Sequence, residues 1–358
     1  MSIHFHPLTI AEVRRETSDC VSVAFAVPES LKEIFQYKQG QYITLRTHIN
    51  GEEVRRSYSV CSSPLDDELR VAIKQVSQGL FSTYANTELK KGDILDVMPP
   101  MGKFFTELDP AQTRQYVGFA AGSGITPLLS IIKTTLRTEP NSSFTLVYGN
   151  RNRHSIIFKE ELEALKNLYM DRFRVMYILS REKTDAVINF GRIDGEKCAA
   201  ICDKTIDINR TDAFFLCGPE NMIFSVKEQL ETLGADKKKI HFELFTTPGA
   251  QKNTEQKTQH SHPEAKSKVT IKLDGVSFDF DLGFDGKAIL DAALQHGADL
   301  PYACKGGVCC TCRAKLVEGE VDMDVNYGLE PDEIEQGFIL TCQSHPRTEK
   351  VVVDFDIK

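Results

Sequence analysis

The chain has 358 residues, 41% of them hydrophobic, and a formal net charge of −8. That length fits two or three domains of about 100–200 residues each, and the acidic balance argues against nucleic acid as a partner. Nowhere do about 18 apolar residues run uninterrupted, so no membrane-spanning helix is expected.

The first ten residues, MSIHFHPLTI, show no basic region followed by an apolar run, so no signal peptide is expected. Ten cysteines in such a chain predict a reducing compartment, the cytoplasm, with thiols kept for metal rather than for cross-links.

Residues 1–108 read as short strands broken by turns. Runs at 9–13, 21–27, 42–47, 69–76 and 94–98 are apolar or alternate apolar with polar, and Gly51 and Lys91-Gly92-Asp93 mark turns between runs. The pattern predicts a small antiparallel barrel. Two stretches in it carry possible chemistry. In Arg56-Ser57-Tyr58-Ser59, strand alternation puts Arg56 and Tyr58 on one side and the two serines on the other. A guanidinium, a ring and hydroxyls together can hold a pyrophosphate and a flat heterocycle. Four residues alone fit an ordinary surface-and-core strand equally well. Gly79-Leu80-Phe81-Ser82-Thr83 leads into a helical stretch, where free backbone N–H groups could meet an anion; a simple helix start reads the same way.

From residue 109 to 246 the pattern changes to alternating strand and helix. Strands are predicted at 116–121, 144–148, 173–179, 213–217 and 241–245, with helical stretches that include 158–168 and 221–233. This predicts a parallel sheet covered on both faces. After the first strand comes Gly122-Ser123-Gly124-Ile125-Thr126-Pro127 and then an apolar helix. Strand, glycine turn and helix place a dinucleotide pyrophosphate on a helix N-terminus. Cys217-Gly218-Pro219 and Ser180-Arg181 stand at the carboxyl ends of two other strands, where open parallel sheets bind ligands. An Arg and a Ser there suit the 2′-phosphate that separates NADP from NAD, so NADPH is favoured over NADH.

Residues 247–267 are rich in Gln, Lys, Thr and Pro and nearly free of large apolar side chains, which predicts an extended linker. From 268 to 358 alternation returns. Runs at 269–273 and 276–280 flank Asp274-Gly275, a hairpin signal. A helix over 288–296 and strands at 315–321, 338–340 and 351–355 complete a β-grasp-like unit. Residues 267–358 hold nine Lys or Arg against 17 Asp or Glu, so the whole excess of negative charge lies here. A basic patch on a protein partner would suit it, and so would plain solubility.

Within this unit, Cys304, Cys309 and Cys312 follow the spacing C-x4-C-x2-C, and 29 residues separate Cys312 from Cys342. That is the plant-type [2Fe–2S] pattern, two thiolates per iron. Gly306 and Gly307 let the loop turn tightly and aim N–H groups at sulfur. A zinc site would usually show two C-x2-C pairs, and a disulfide framework belongs to short secreted chains. Cys310 falls outside the spacing and is expected to be a bystander.

Together these motifs resemble the ferredoxin–NADP reductase superfamily with a C-terminal plant-type ferredoxin domain. The resemblance implies a multidomain chain: an FAD-binding antiparallel β-barrel (1–108), an NADP-binding α/β domain (109–246), a linker and a [2Fe–2S] domain (268–358). It implies that Arg56, Ser57, Tyr58 and Ser59 contact the flavin and its pyrophosphate, and that Lys74, Gly79, Phe81, Ser82 and Thr83 hold the rest of FAD. Gly122, Gly124, Thr126, Pro127, Gly218 and Pro219 would meet the pyridine nucleotide, and Ser180 and Arg181 its 2′-phosphate. Glu243 and Phe245 fall near the flavin edge. Tyr58, Ser59 and Cys217 are expected to shape the nicotinamide–flavin contact, with no role for Cys217 as a nucleophile. Residues 300–315 and 323–331 are similar to reductase subunits that feed bacterial oxygenases, which implies a di-iron oxygenase component as electron acceptor. An electron carrier without turnover of its own and a free-standing NADPH oxidase are the competing readings.

Overall fold

A computed structural model describes residues 4–245 and 265–357. Residues 6–245 form one compact unit, and 265–357 belong to a second.

The first unit opens with β1 (His6–Thr17), β2 (Cys20–Ala26), β3 (Tyr42–Ile49), β4 (Glu52–Ser59), β5 (Leu69–Lys74), α1 (Leu80–Thr87) and β6 (Ile94–Met101). The six strands form an antiparallel sheet in the order β4-β3-β6-β1-β2-β5. A bridge between Val60 and Val71 joins its two ends, so the sheet closes into the expected barrel and leaves few free edges. The run expected at 69–76 stops at Lys74. Gln78 has φ +61°, and Ser82 Oγ accepts from the N–H of Val76, so this segment turns into α1 instead of extending β5.

Next come β7 (Gln115–Ala121), α2 (Ile125–Thr138), β8 (Ser143–Asn150), α3 (Lys159–Leu168), β9 (Phe173–Leu179), α4 (Gly195–Thr205), β10 (Ala213–Gly218), α5 (Glu220–Thr232) and β11 (Ile240–Leu244). The strands are parallel, in the order β11-β10-β7-β8-β9. The chain runs outward from β7 through β8 to β9, then returns to place β10 on the other side of β7. That reversal makes the β7/β10 border the switch point where such sheets bind ligands.

The barrel and the α/β sheet share one apolar core. Cys20, Cys61, Ala72 and Phe104 from the barrel side join Leu128, Leu129, Ile132, Phe144 and Phe215 of the sheet and α2. Phe104 meets Phe215 edge-to-face, with ring centroids 5.6 Å apart. Burying a large apolar side chain contributes about 1.5–3 kcal/mol, against about 0–1 kcal/mol for an exposed ion pair. Adhesion between the two modules therefore comes from this core.

The second unit contains β12 (Lys266–Leu273), β13 (Val276–Gly283), α6 (Ile289–Gln295), β14 (Arg313–Glu318), β15 (Val321–Met323), α7 (Pro331–Glu335), β16 (Phe338–Leu340), β17 (Ser344–Pro346) and β18 (Lys350–Asp354). A mixed sheet, β13-β12-β18-β14-β16, packs against α6 over a separate core that includes Val269, Ile289, Ala293, Leu340 and Val351. Asp274 and Gly275 both have positive φ, as a two-residue hairpin turn requires. Two expectations are corrected. The strand expected at 315–321 breaks at Gly319, whose φ of +88° ends β14 and starts the separate strand β15. The linker expected over 247–267 lies outside the described residues up to 264, and its last two, Lys266 and Ser267, are already strand.

Candidate redox sites

In the first unit the nucleotide motifs meet at the switch point. A short turn over Gly122–Gly124 leads from β7 into α2. Gly124 presses on the carboxyl end of β10: a Cβ there would lie 2.0 Å from the Cys217 carbonyl oxygen. Only glycine lets the two backbones approach this closely. Gly122 has φ +55°, its carbonyl accepts from Tyr148 Oη at 2.9 Å, and a Cβ on it would stand 3.7 Å from Lys74 Nζ. Lys74 thus reaches from β5 over the glycine turn. No side chain caps the N-terminus of α1 or of the Gly122–Gly124 turn that runs into α2, where backbone N–H groups can meet an anion; in α2 itself the Ile125 N–H already bonds the Gly122 and Ser123 carbonyls. Thr126 Oγ1 donates to the Ser123 carbonyl, and Thr126 and Pro127 are buried in the first turn of α2.

On the barrel side, β4 carries the R-x-Y-S stretch. Tyr58 packs on the barrel core, its ring 5.6 Å from that of Phe81. Burial pushes the Tyr58 phenol well above its usual range. Phe81 itself is fully buried, which leaves its backbone rather than its ring for a cofactor. Ser57 Oγ lies 3.1 Å from Thr44 Oγ1, and Arg56 Nη1 donates to the neighbouring Arg55 carbonyl. Thr83 lies in the first turn of α1, its N–H bonded to the Gly79 carbonyl. Asn86 ties α1 down by donating to the Ile73 and Ser82 carbonyls.

Barrel and sheet meet at Ser59. Its hydroxyl donates to Glu243 Oε2 at 2.8 Å. Atoms crowding the Glu243 carboxyl disfavour its charge and push its pKa up to about 7, although the Ser59 bond pulls the other way. Glu243 on β11 is the register partner of Cys217 on β10. Burial first, and then the Glu243 charge, push the Cys217 thiol well up, so it is inert as a nucleophile. Gly218 closes against Ala121 and Met222, and Pro219 begins α5. Phe245, one residue past the end of β11, is 41% exposed.

At the ends of β8 and β9 the Ser180 N–H donates to the Asn150 carbonyl and the Arg181 N–H to the Arg151 carbonyl, so the two loops run side by side. Arg151 and Arg181 are both exposed, while Arg153 pairs with Glu182. Arg151 stands one residue past the end of β8, beside the Ser180-Arg181 pair.

In the second unit the four thiols come together as two pairs. Cys309 Sγ donates to Cys304 Sγ at 3.1 Å, and Cys312 hydrogen-bonds Cys342. Within each pair one sulfur is driven toward thiolate. The Cys309 thiol, then the N–H groups of Gly306, Val308 and Cys309, lower the Cys304 pKa against burial; the Cys312 thiol does the same for Cys342. Gly307, at φ +72°, leaves no room for a Cβ, which would fall 2.4 Å from Val325. Its carbonyl accepts from the Gly328 N–H, so the segment after β15 braces the cysteine loop. Among the described residues no three His, Cys, Asp or Glu side chains group as a metal site. Two sulfur pairs fit a two-iron cluster, two thiolates for each iron. Cys310, half-buried, belongs to neither of these two pairs.

This geometry defines a class: a modular oxidoreductase with one half for flavin and pyridine nucleotide and another for an iron–sulfur cluster. Three family models match in that order: an oxidoreductase FAD-binding domain over 7–106, an oxidoreductase NAD-binding domain over 119–228, and a 2Fe-2S iron-sulfur cluster binding domain over 271–347. The chain is 46% identical to one of the subunits of the 1,2-phenylacetyl-CoA epoxidase of Escherichia coli (strain K12), covering 99% of this chain and 98% of that one. It is 33% identical to the ferredoxin reductase component of 3-ketosteroid-9-alpha-monooxygenase of Rhodococcus rhodochrous, covering 97% and 96%. Phthalate dioxygenase reductase, a modular structure for electron transfer from pyridine nucleotides to [2Fe-2S], shares the fold at a TM-score of 0.61 and 23% identity, covering 98% of each chain. The chain belongs to the ferredoxin–NADP reductase superfamily, among the oxygenase reductase components that carry a C-terminal [2Fe–2S] domain. No helix among the described residues is long and apolar enough to cross a membrane.

Proposed function

We propose that the chain conveys electrons from NADPH through FAD and a [2Fe–2S] cluster to the di-iron oxygenase component of a phenylacetyl-CoA 1,2-epoxidase, in phenylacetate degradation. The observation that carries this reading is the full-length 46% identity to a subunit of that epoxidase. When bound, FAD accepts two electrons together and releases them singly, and the cluster carries one at a time. The residues supply position and electrostatics. Arg56, Ser57, Lys74 and the α1 start at Gly79, Phe81, Ser82 and Thr83 hold FAD. Gly122, Gly124, Thr126, Pro127, Gly218 and Pro219 hold the dinucleotide. Tyr58, Ser59, Cys217, Glu243 and Phe245 frame the place where nicotinamide meets flavin. Ser180 and Arg181, with Arg151 beside them, grip the 2′-phosphate, which favours NADPH over NADH. Cys304 and Cys309 ligate one iron, Cys312 and Cys342 the other.

Ten free cysteines suit a reducing cytoplasm. Reconstitution tests the reading. With the oxygenase component present, NADPH consumption should rise and phenylacetyl-CoA epoxide should form in step with it. Rapid oxygen uptake by the chain alone, unchanged by the oxygenase, would make it an oxidase instead.

A further inference from the structure

The chain leaves β4 at Ser59 and reaches β5 at Leu69 through a strap that the α/β module holds along its length. Ser130 Oγ donates to the Ser62 carbonyl at 2.6 Å, and Ser63 Oγ lies 2.8 Å from Thr134 Oγ1. Lys133 Nζ stands 2.6 Å from Asp66 Oδ2, and Arg137 Nη1 2.5 Å from Asp66 Oδ1. Arg137 Nη2 also donates to the Leu65 carbonyl, and Lys133 makes a second ion pair, with Glu161 on α3. Asp66 fixes its own loop as well, accepting from the Ser63 N–H. The side chains of Asp66 and Lys133 are only 18% and 17% exposed.

Ser130, Lys133, Thr134 and Arg137 fall at i, i+3, i+4 and i+7, one face of α2. Thr126, in the turn that receives the dinucleotide, is one step earlier on the same face. From Thr126 to Arg137 the helix runs roughly 16 Å. Over that length a tilt of about 5° moves the far end by about 1.4 Å, and a misplacement of about 1 Å is enough to slow a reaction about 100-fold. The apolar core shared by the modules is non-directional; it makes them adhere but tolerates small rotations. The strap's ion pairs are directional. The strap also begins at Ser59, whose hydroxyl bonds Glu243, so a single segment is tied both where the cofactors meet and along the shaft of α2.

We propose that Asp66, with Lys133 and Arg137, is a positioning clamp: it fixes the tilt of α2 against the barrel and so sets the nicotinamide–flavin geometry, without touching either cofactor. The clamp's catalytic consequence rests on the hydride reading above.

Asp66→Asn tests it in the full-length holoprotein, since the amide oxygen still accepts from Ser63 while the charge that holds both cations is gone. Stopped-flow flavin reduction at saturating NADPH should slow about tenfold or more, with FAD content unchanged and KM for NADPH within about twofold. Hydrogen exchange should quicken at 60–68 and, at a distance, at 122–127. Lys133→Arg should keep both near wild type, a rescue that guards against a misfolded first variant. Flavin reduction within twofold of wild type in Asp66→Asn overturns the clamp. Should wild-type flavin itself not be reduced by NADPH, the functional reading fails, and exchange alone decides: faster exchange at 122–127 supports the clamp, unchanged exchange sinks it.

Discussion

In residues 6–245 the groups proposed to meet the cofactors come from β4, β5, α1, the β7–α2 turn, β10 and β11, and most would act through backbone. Gly124 permits the close approach to β10 because it has no side chain, and no side chain caps the starts of α1 and of the Gly122–Gly124 turn. In residues 265–357 three of the four proposed ligands sit on one nine-residue loop and would act through side-chain sulfur. A site of the first kind depends on how distant elements are held. A site of the second kind depends on which residues are present. The two should therefore break differently.

The largest effect is expected in the second unit. Cys309→Ser should leave flavin reduction by NADPH intact and cut electron delivery to a one-electron protein acceptor by more than about 100-fold, the upper range for disturbing even an outer partner of a metal. Delivery that persists would mean the cluster is not the exit port.

Gly124→Ala is the counterpart in the first unit. Its methyl would overlap the Cys217 carbonyl, and overpacking of this kind costs about 1–3 kcal/mol. Lower thermal stability and weaker NADPH binding together are expected; wild-type values for both would show that the close approach is dispensable. Next in size, Arg181→Ala should lower kcat/KM for NADPH about 10- to 150-fold, the range for losing a hydrogen bond to a charged group, and leave NADH nearly unchanged. An equal loss for both nucleotides would move the 2′-phosphate elsewhere.

A smaller effect follows from Glu243. In the folded chain its carboxyl keeps a proton up to about pH 7, against 4.5 as its ordinary value. The folded state therefore binds more protons across that window, and its contribution to stability is full below about 4.5 and lost as pH rises through 7. Glu243→Gln should flatten the fall in Tm between those limits; an unchanged slope would assign it to another group. Cys310→Ser should do least, with iron and sulfide content unaltered. Loss of the cluster there would mean a wrongly chosen ligand.

The same contrast explains what could be read in advance. The cysteine spacing, the Asp274-Gly275 turn and GSGITP are short local signals, and each stands where the pattern put it. The break at Gly319 leaves little mark because Val317 and Val321 keep a strand's alternation across Glu318-Gly319-Glu320. Helix α4 was not singled out; its buried face is Cys198, Ile201 and Cys202, a weak stripe. The strap at 60–68 reads only as a polar loop, because its partners lie about 70 residues away on α2. The pairing of Ser59 with Glu243 spans 184 residues and leaves no local mark. Contacts made by one side chain across such a distance become visible only once the chain is folded.

Anaerobic titration of the purified chain with NADPH, followed by visible absorption, tests the central claim most directly. Flavin bands and an overlapping iron–sulfur absorption should both be present and both bleach. A protein carrying flavin that bleaches alone, or carrying neither chromophore, would contradict it.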